Sequence, residues 1–224
     1  MKLEYIGHSA IAFEALGRTV LIDPFISQNP LANFDWRNYN IKNILVTHGH
    51  GDHLGDAIEI AKTKYATITA VFELANYCAT QGVSVNPINL GGKITFEWGD
   101  AWFVPACHSS STPDEKYAGE AAGIVLDVDG VRIYHAGDTS LTSEMNLIRE
   151  VYKPQVALLP IGGHYTMGVD EAAIASKMLG VEKVIPIHYN TFSAINADVN
   201  KFKYKLETYG IEALVLKPGE VVEL

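Results

Sequence analysis

The chain has 224 residues, 48% of them hydrophobic and 19% charged, which fits a globular protein and excludes a disordered one. Its net charge of −9 argues against nucleic-acid backbones and anionic membranes as partners. No stretch approaches the ~18 consecutive apolar residues of a membrane span.

The N-terminal segment carries Lys2, Glu4, His8 and Glu14 and so lacks the apolar run of a signal peptide. Period-two alternation predicts strands over 2–6, 9–14 and 18–23, divided by Gly7-His8 and Gly17. Residues 24–40 form a long connection rich in Asn, Pro and aromatics, a length usual for functional or disordered loops. KNILVT at 42–47 is a short buried strand, and Leu54, Ala57, Ile58 and Ala61 then recur at helical spacing. A strand at 66–71 and a helix near 72–81 follow, the helix stopping at Gly82. Strands at 93–98, 101–106, 120–128 and 131–135 pair through Gly99-Asp100 and Asp129-Gly130, which are hairpin turns. Residues 108–118 are a polar loop, and beyond Asp138 helices at 143–151, 170–179 and 197–209 alternate with strands at 155–160, 183–187 and 212–216. No linker interrupts this, so one domain over 1–224 with two similar halves is expected. Its class is α/β (α+β), with sheets inside and helices outside. Cys78 and Cys107 are the only cysteines. They make no disulfide framework and fit a reducing compartment, so a cytoplasmic location is expected.

The densest chemistry lies in THGHGDH at 47–53. Alternation places His48 and His50 on one side of the chain just past a strand. Gly49 and Gly51 permit a crowded backbone, and Asp52 and His53 stand where a helix begins. Three imidazoles and one carboxylate so close together are the donor set of a divalent transition metal.

His-x-His-x-Asp-His after a hydrophobic strand resembles the signature of the metallo-β-lactamase superfamily. His108, Asp138 in HAGDT and His188 in IPIHYNTF match its remaining motifs in order. LIDPFIS, THGHGDHLGD, YHAGDT and LPIGGHYTMG narrow the resemblance to prokaryotic metal-dependent hydrolases related to L-ascorbate-6-phosphate lactonase. The resemblance implies a four-layer αββα sandwich with two divalent metals at one edge. It implies His48, His50 and His108 on the first metal, Asp52, His53 and His188 on the second, and Asp138 bridging. Each of His108, Asp138 and His188 also follows an apolar strand, where loops build sites. A bridging carboxylate is the pattern of the superfamily's hydrolases, whereas the best-known β-lactamases use a cysteine. Here Cys107 precedes His108 and is off that position. The di-iron oxygen reductases carry Glu where this chain has His50.

Two metals about 3.5–4 Å apart would bridge a water and lower its pKa from ~15.7 towards ~7, giving a hydroxide nucleophile. The expected substrate is a small ester, lactone or phosphate-bearing metabolite. The alternative is a non-catalytic metal-dependent binding or sensing module of the same fold. Zinc is the first choice of metal, with manganese, nickel and iron also compatible with the donors. The added cations would let an acidic protein bind an anion locally. Asp52, His135 and His8 are the candidate catalytic side chains, and Asp23 would orient a ligand imidazole, as relatives use such an Asp. His164, Asn190 and Ser109 are candidate substrate contacts; His164 departs from the Asn of close family members. Phe25 and Trp36 are candidates to cover the cleft. Neither a nucleic-acid nor a membrane partner is expected, and assembly into a homo-oligomer is left open.

Overall fold

The structure is a computed structural model describing residues 1–224. The first half forms β1 (Lys2–Gly7), β2 (Ala10–Ala15), β3 (Arg18–Ile22), β4 (Ile41–Leu45), α1 (Gly51–Leu54), α2 (Ala57–Lys64), β5 (Thr67–Val71), α3 (Phe72–Thr80) and β6 (Ser84–Ile88). The second forms β7 (Lys93–Phe96), β8 (Gly99–Pro105), β9 (Ala122–Val128), β10 (Val131–His135), α4 (Glu144–Tyr152), β11 (Val156–Pro160), α5 (Val169–Leu179), β12 (Lys183–Ile187), α6 (Val199–Thr208), β13 (Glu212–Ala213) and β14 (Val221–Glu223).

Strand alternation sorts the apolar residues into two cores. Ile124, Leu126 and Val128 of β9 join the core between the sheets, while Val125 joins the core under the outer helices. In the same way Leu158 faces in, and Ala157 and Leu159 face out. A sheet buried on both faces must be covered by helices on the side away from its partner sheet. Here α2 and α3 cover β4, β5 and β6, and α4, α5 and α6 cover the parallel strands of the other sheet. The result is a four-layer αββα sandwich, the architecture the resemblance implied.

The two sheets repeat one plan. The first has the order β14-β1-β2-β3-β4-β5-β6 and the second β13-β12-β11-β10-β9-β8-β7. Each has an antiparallel meander that passes into parallel strands, at β3–β4 in one and β10–β11 in the other. The C-terminal β14 returns to the first sheet and pairs with β1, Leu3 opposite Val222.

Several elements differ from the expectation, among them the short β14, which lies beyond the last strand expected at 212–216. The edge strand β6 reads poorly because Pro87 and polar residues break its pattern, which an edge tolerates. The strand expected over 212–216 is cut to Glu212–Ala213. The connection 24–40 is ordered by a 3-10 turn at Trp36–Asn38, whose Trp36 lies in the core, stacked under Arg37, and not over a cleft.

Trp98, in the β7–β8 turn, stitches the two sheets. Its indole N–H donates to Asn43 Oδ1 in β4 at 3.0 Å, and its ring meets Phe13 of β2 edge-on at 5.2 Å. Trp98→Ala is expected to destabilise the protein by about 3–5 kcal/mol, read from denaturant midpoints.

Candidate metal centre

Each of the implied ligands stands at or just beyond a strand end, or in the short helix that follows. His48 and His50 follow β4, with Asp52 and His53 in α1; His108 follows β8, Asp138 follows β10 and His188 follows β12. Two backbone bonds hold the ends together across the sandwich. The Ala122 N–H donates to Thr47 O at 3.0 Å, and the His188 N–H donates to His8 O at 2.8 Å. Asp23 and His188 lie in the left-handed region (φ 47° and 53°). Strain of this kind costs of order 1–3 kcal/mol per residue and is typical of functional sites.

The side chains converge in two sets. His48 Nε2 is 2.9 Å from His50 Nδ1, and the His108 ring lies 5.2 Å from both of those rings. Asp52, His53 and His188 form the second set, with His8 beside them. Asp138 touches both sets. Its Oδ1 is 3.1 Å from His53 Nε2, and its Oδ2 is 3.1 Å from His188 Nε2 and 3.5 Å from His108 Nε2.

The tautomers follow from the surrounding bonds. Asp23, fully buried, can only accept. Its Oδ1 takes the Thr47 N–H at 2.8 Å, and its Oδ2 takes both the Thr47 hydroxyl and the His53 Nδ1–H at 2.7 Å. With its proton given to Asp23, Thr47 Oγ1 accepts from His48 Nδ1–H at 3.1 Å. His48 and His53 therefore both turn an Nε2 lone pair into the cluster. His53 Nε2, His188 Nε2 and Asp138 Oδ1 are buried and lack hydrogen-bond partners. Buried polar atoms without partners are rare and need a reason. Lone pairs aimed at one another have that reason if a cation sits among them, so the donor set fits a metal.

The electrostatics agree. Burial lowers the pKa of His48, His50 and His108, leaving them neutral donors at neutral pH. Burial also pulls down His53 and His188, but Asp138 lifts both, helped by Asp23 for His53, and His188 rises to about 9. Asp52 and Asp138 are raised by burial but lowered on balance by neighbouring imidazoles, so both are ionised. With no ion present, His53 and His188 hold that positive charge as protons, the His53 one on Nε2 facing Asp138; a bound cation would displace it and leave the lone pair free to coordinate.

Other expected residues are placed differently. His135 is a correction. It is fully buried, its Nε2–H donates to Ser9 O at 2.9 Å, and its Nδ1 accepts the Gly137 N–H at 3.1 Å. With both nitrogens tied to backbone, it bridges the sheets and has no atom left for proton transfer to a substrate. Ser109 is exposed; its neighbour Ser110 accepts the Gly49 N–H and so ties the 108–118 loop to the histidine loop. Asn190 is exposed, with its side-chain oxygen capping Ala197 N–H at 2.9 Å. His164 is exposed against Tyr165 in the 161–168 loop, whose base bonds to Thr139 beside Asp138. Sequence reasoning missed Thr47 and Thr191, although each adjoins a motif residue or lies close after one. Asp23→Asn is expected to weaken metal binding by about 10–100-fold, measured by competition with a chromogenic chelator.

Residues 18–189 match a family model described as "Beta-lactamase superfamily domain". A UPF0173 metal-dependent hydrolase of Anoxybacillus flavithermus is 44% identical over the whole of both chains. A second, from Thermus thermophilus, is 45% identical over all of this chain and 99% of the other. Among solved structures, the metallo hydrolase Igni18 of the hyperthermophilic archaeon Ignicoccus hospitalis has a TM-score of 0.90 at 41% identity. The match covers 99% of this chain and 97% of that one.

Proposed function

The chain belongs to the beta-lactamase superfamily, among the UPF0173 metal-dependent hydrolases, and from that premise we propose that it hydrolyses a small ester, lactone or phosphate-bearing metabolite at a pair of divalent cations. The observation that carries this reading is Asp138, within 3.5 Å of imidazoles from both sets. His48, His50 and His108 would hold one ion, Asp52, His53 and His188 the other, and Asp138 both. When bound, such a pair supplies an activated water and polarises the electrophile. Zinc is the first choice, and manganese, nickel and iron also suit nitrogen and carboxylate donors.

The chain's own residues set the rest. Asp23 and Thr47 fix the His48 and His53 rings with no solvent access. Asp52 is the half-open carboxylate of the set, its side chain 32% exposed, and is placed to take a proton from the cleft. A groove of about 560 Å³ runs beside Gly51, walled by Phe25, Leu54, Ile58 and Pro113. It would take the part of the substrate that does not react. Lys62 is its one cation against Asp56 and Glu59, and Asp56 is occupied by the Ile26 and Ser27 N–H groups. His164, Asn190 and Ser109 lie in exposed loops flanking the ligand positions, where they would meet polar groups. No helix is long and apolar enough to cross a membrane; with unpaired cysteines and an acidic surface we take the site of action as the cytoplasm and the partner as a small molecule.

A panel of lactones, aryl esters and phosphodiesters offered to metal-loaded protein tests this reading. Turnover is expected on at least one lactone, ester or phosphodiester of the panel, with His50→Ala lowering it more than ~100-fold. Unchanged turnover in that variant would remove the assigned chemistry.

A further inference from the structure

His8 is in neither of the ligand sets implied by the resemblance, yet its ring lies among the donor atoms of Asp52, His53 and His188. Its side chain is fully buried, so it meets neither solvent nor a substrate in the cleft. It sits in the β1–β2 turn with a left-handed backbone (φ 58°), a conformation costly for a residue other than glycine. Its carbonyl accepts the His188 N–H at 2.8 Å and the Tyr5 O–H at 3.1 Å. Its ring packs 4.1 Å from that of His188 and edge-on against Phe25 and Phe192. The ring has two polar contacts: Nε2 is 3.1 Å from Asp52 Oδ2, and Nδ1 is 2.9 Å from Thr191 Oγ1.

These contacts fix the proton. The Asp52 carboxylate only accepts, so Nε2 must carry the hydrogen. Nδ1 then accepts, and the Thr191 hydroxyl donates to it in preference to Tyr189 O, which is 3.5 Å away. Thr191, His8 and Asp52 form a chain of donors pointing one way, ending on a carboxylate oxygen that also lies 3.6 Å from His188 Nε2.

We propose that His8 is a positioning residue whose side chain aims Asp52 at the second cation site and acts through Asp52. The ring N–H holds one carboxylate oxygen, while the carbonyl of the same residue seats the backbone of His188. Substitution at position 8 keeps the second interaction and removes the first, so the two are separable by experiment. The inference rests on the ligand reading only in taking Asp52 as a metal donor.

The test is the Zn²⁺ affinity of the full chain, measured by chelator competition on His8→Gly, His8→Gln, Asp52→Asn and the His8→Gly/Asp52→Asn pair. Glycine suits the left-handed backbone, and the glutamine amide can place an N–H where Nε2 stood. His8→Gly is expected to weaken the second equivalent of Zn²⁺ by about 10–100-fold. His8→Gln should recover most of it, and the double variant should match Asp52→Asn. Parent-like affinity in His8→Gly overturns the inference. So does a double variant whose loss is the product of the two single losses, which is independence. Equal losses in His8→Gln and His8→Gly would make the ring itself a ligand. If Asp52→Asn alone shows no loss, the ligand reading fails and takes this inference with it; a loss there without one in His8→Gly sinks this inference alone.

Discussion

Removing carboxylates and imidazoles from water is costly unless each lone pair and proton finds a partner. Asp138 is 3% exposed, and the nitrogens nearest it are those of His53, His108 and His188. No hydrogen bond is aligned to its Oδ1, and none to His53 Nε2. Without an ion, Asp138 is balanced by its pairing with the His53 and His188 imidazoles, and a cation among the same atoms would take over that role. The buried Asp23 shows what a completed group looks like here, with three donors on two oxygens. The contrast between these two aspartates separates the supporting scaffold from the working cavity.

The sandwich serves that contrast by geometry. Strand ends are where a backbone leaves its ladder and a side chain becomes free to point along the sheet. Bringing the ends of β4, β8, β10 and β12 to one edge gathers donors that the sequence spreads over 141 positions, from 48 to 188. The loops are themselves braced. A Cβ on Gly49 would fall 2.6 Å from Ser111 O, so the 111–117 hairpin lies directly on the first histidine loop. Thr112 and Lys116 close that hairpin with a 2.8 Å backbone bond. Rigidity at the site is thus built from main-chain contacts together with the buried Asp23 and Thr47 side chains and the half-buried Ser110.

Much of this was legible in the chain. THGHGDH announces donors because histidines are scarce and these are tightly spaced. Placing His108, Asp138 and His188 with it needed the family resemblance, since spacing alone does not say which strand ends meet. The strands were readable where alternation was clean, and β6 was not, because an edge strand needs neither full apolarity nor every N–H. His135 was misread for a definable reason. Proximity to Asp138 in sequence suggested the cleft, but strand geometry turned the ring between the sheets, towards Ser9. Thr47 and Thr191 were invisible as functional residues because a hydroxyl's importance lies in what it faces, and the partners come from distant segments.

The return of β14 to the first sheet has a further consequence. Gly219 N–H donates to Tyr5 O at 2.7 Å, and Tyr5 N–H donates to Glu220 O at 3.0 Å. Tyr5 in turn reaches the His8 carbonyl through its hydroxyl. The tail of the polypeptide therefore acts as a splint on the segment that leads into the cavity. Fraying at residues 219–224 would be transmitted, with no change to any donor, as looseness at the very turn on which Asp52 and His188 lean.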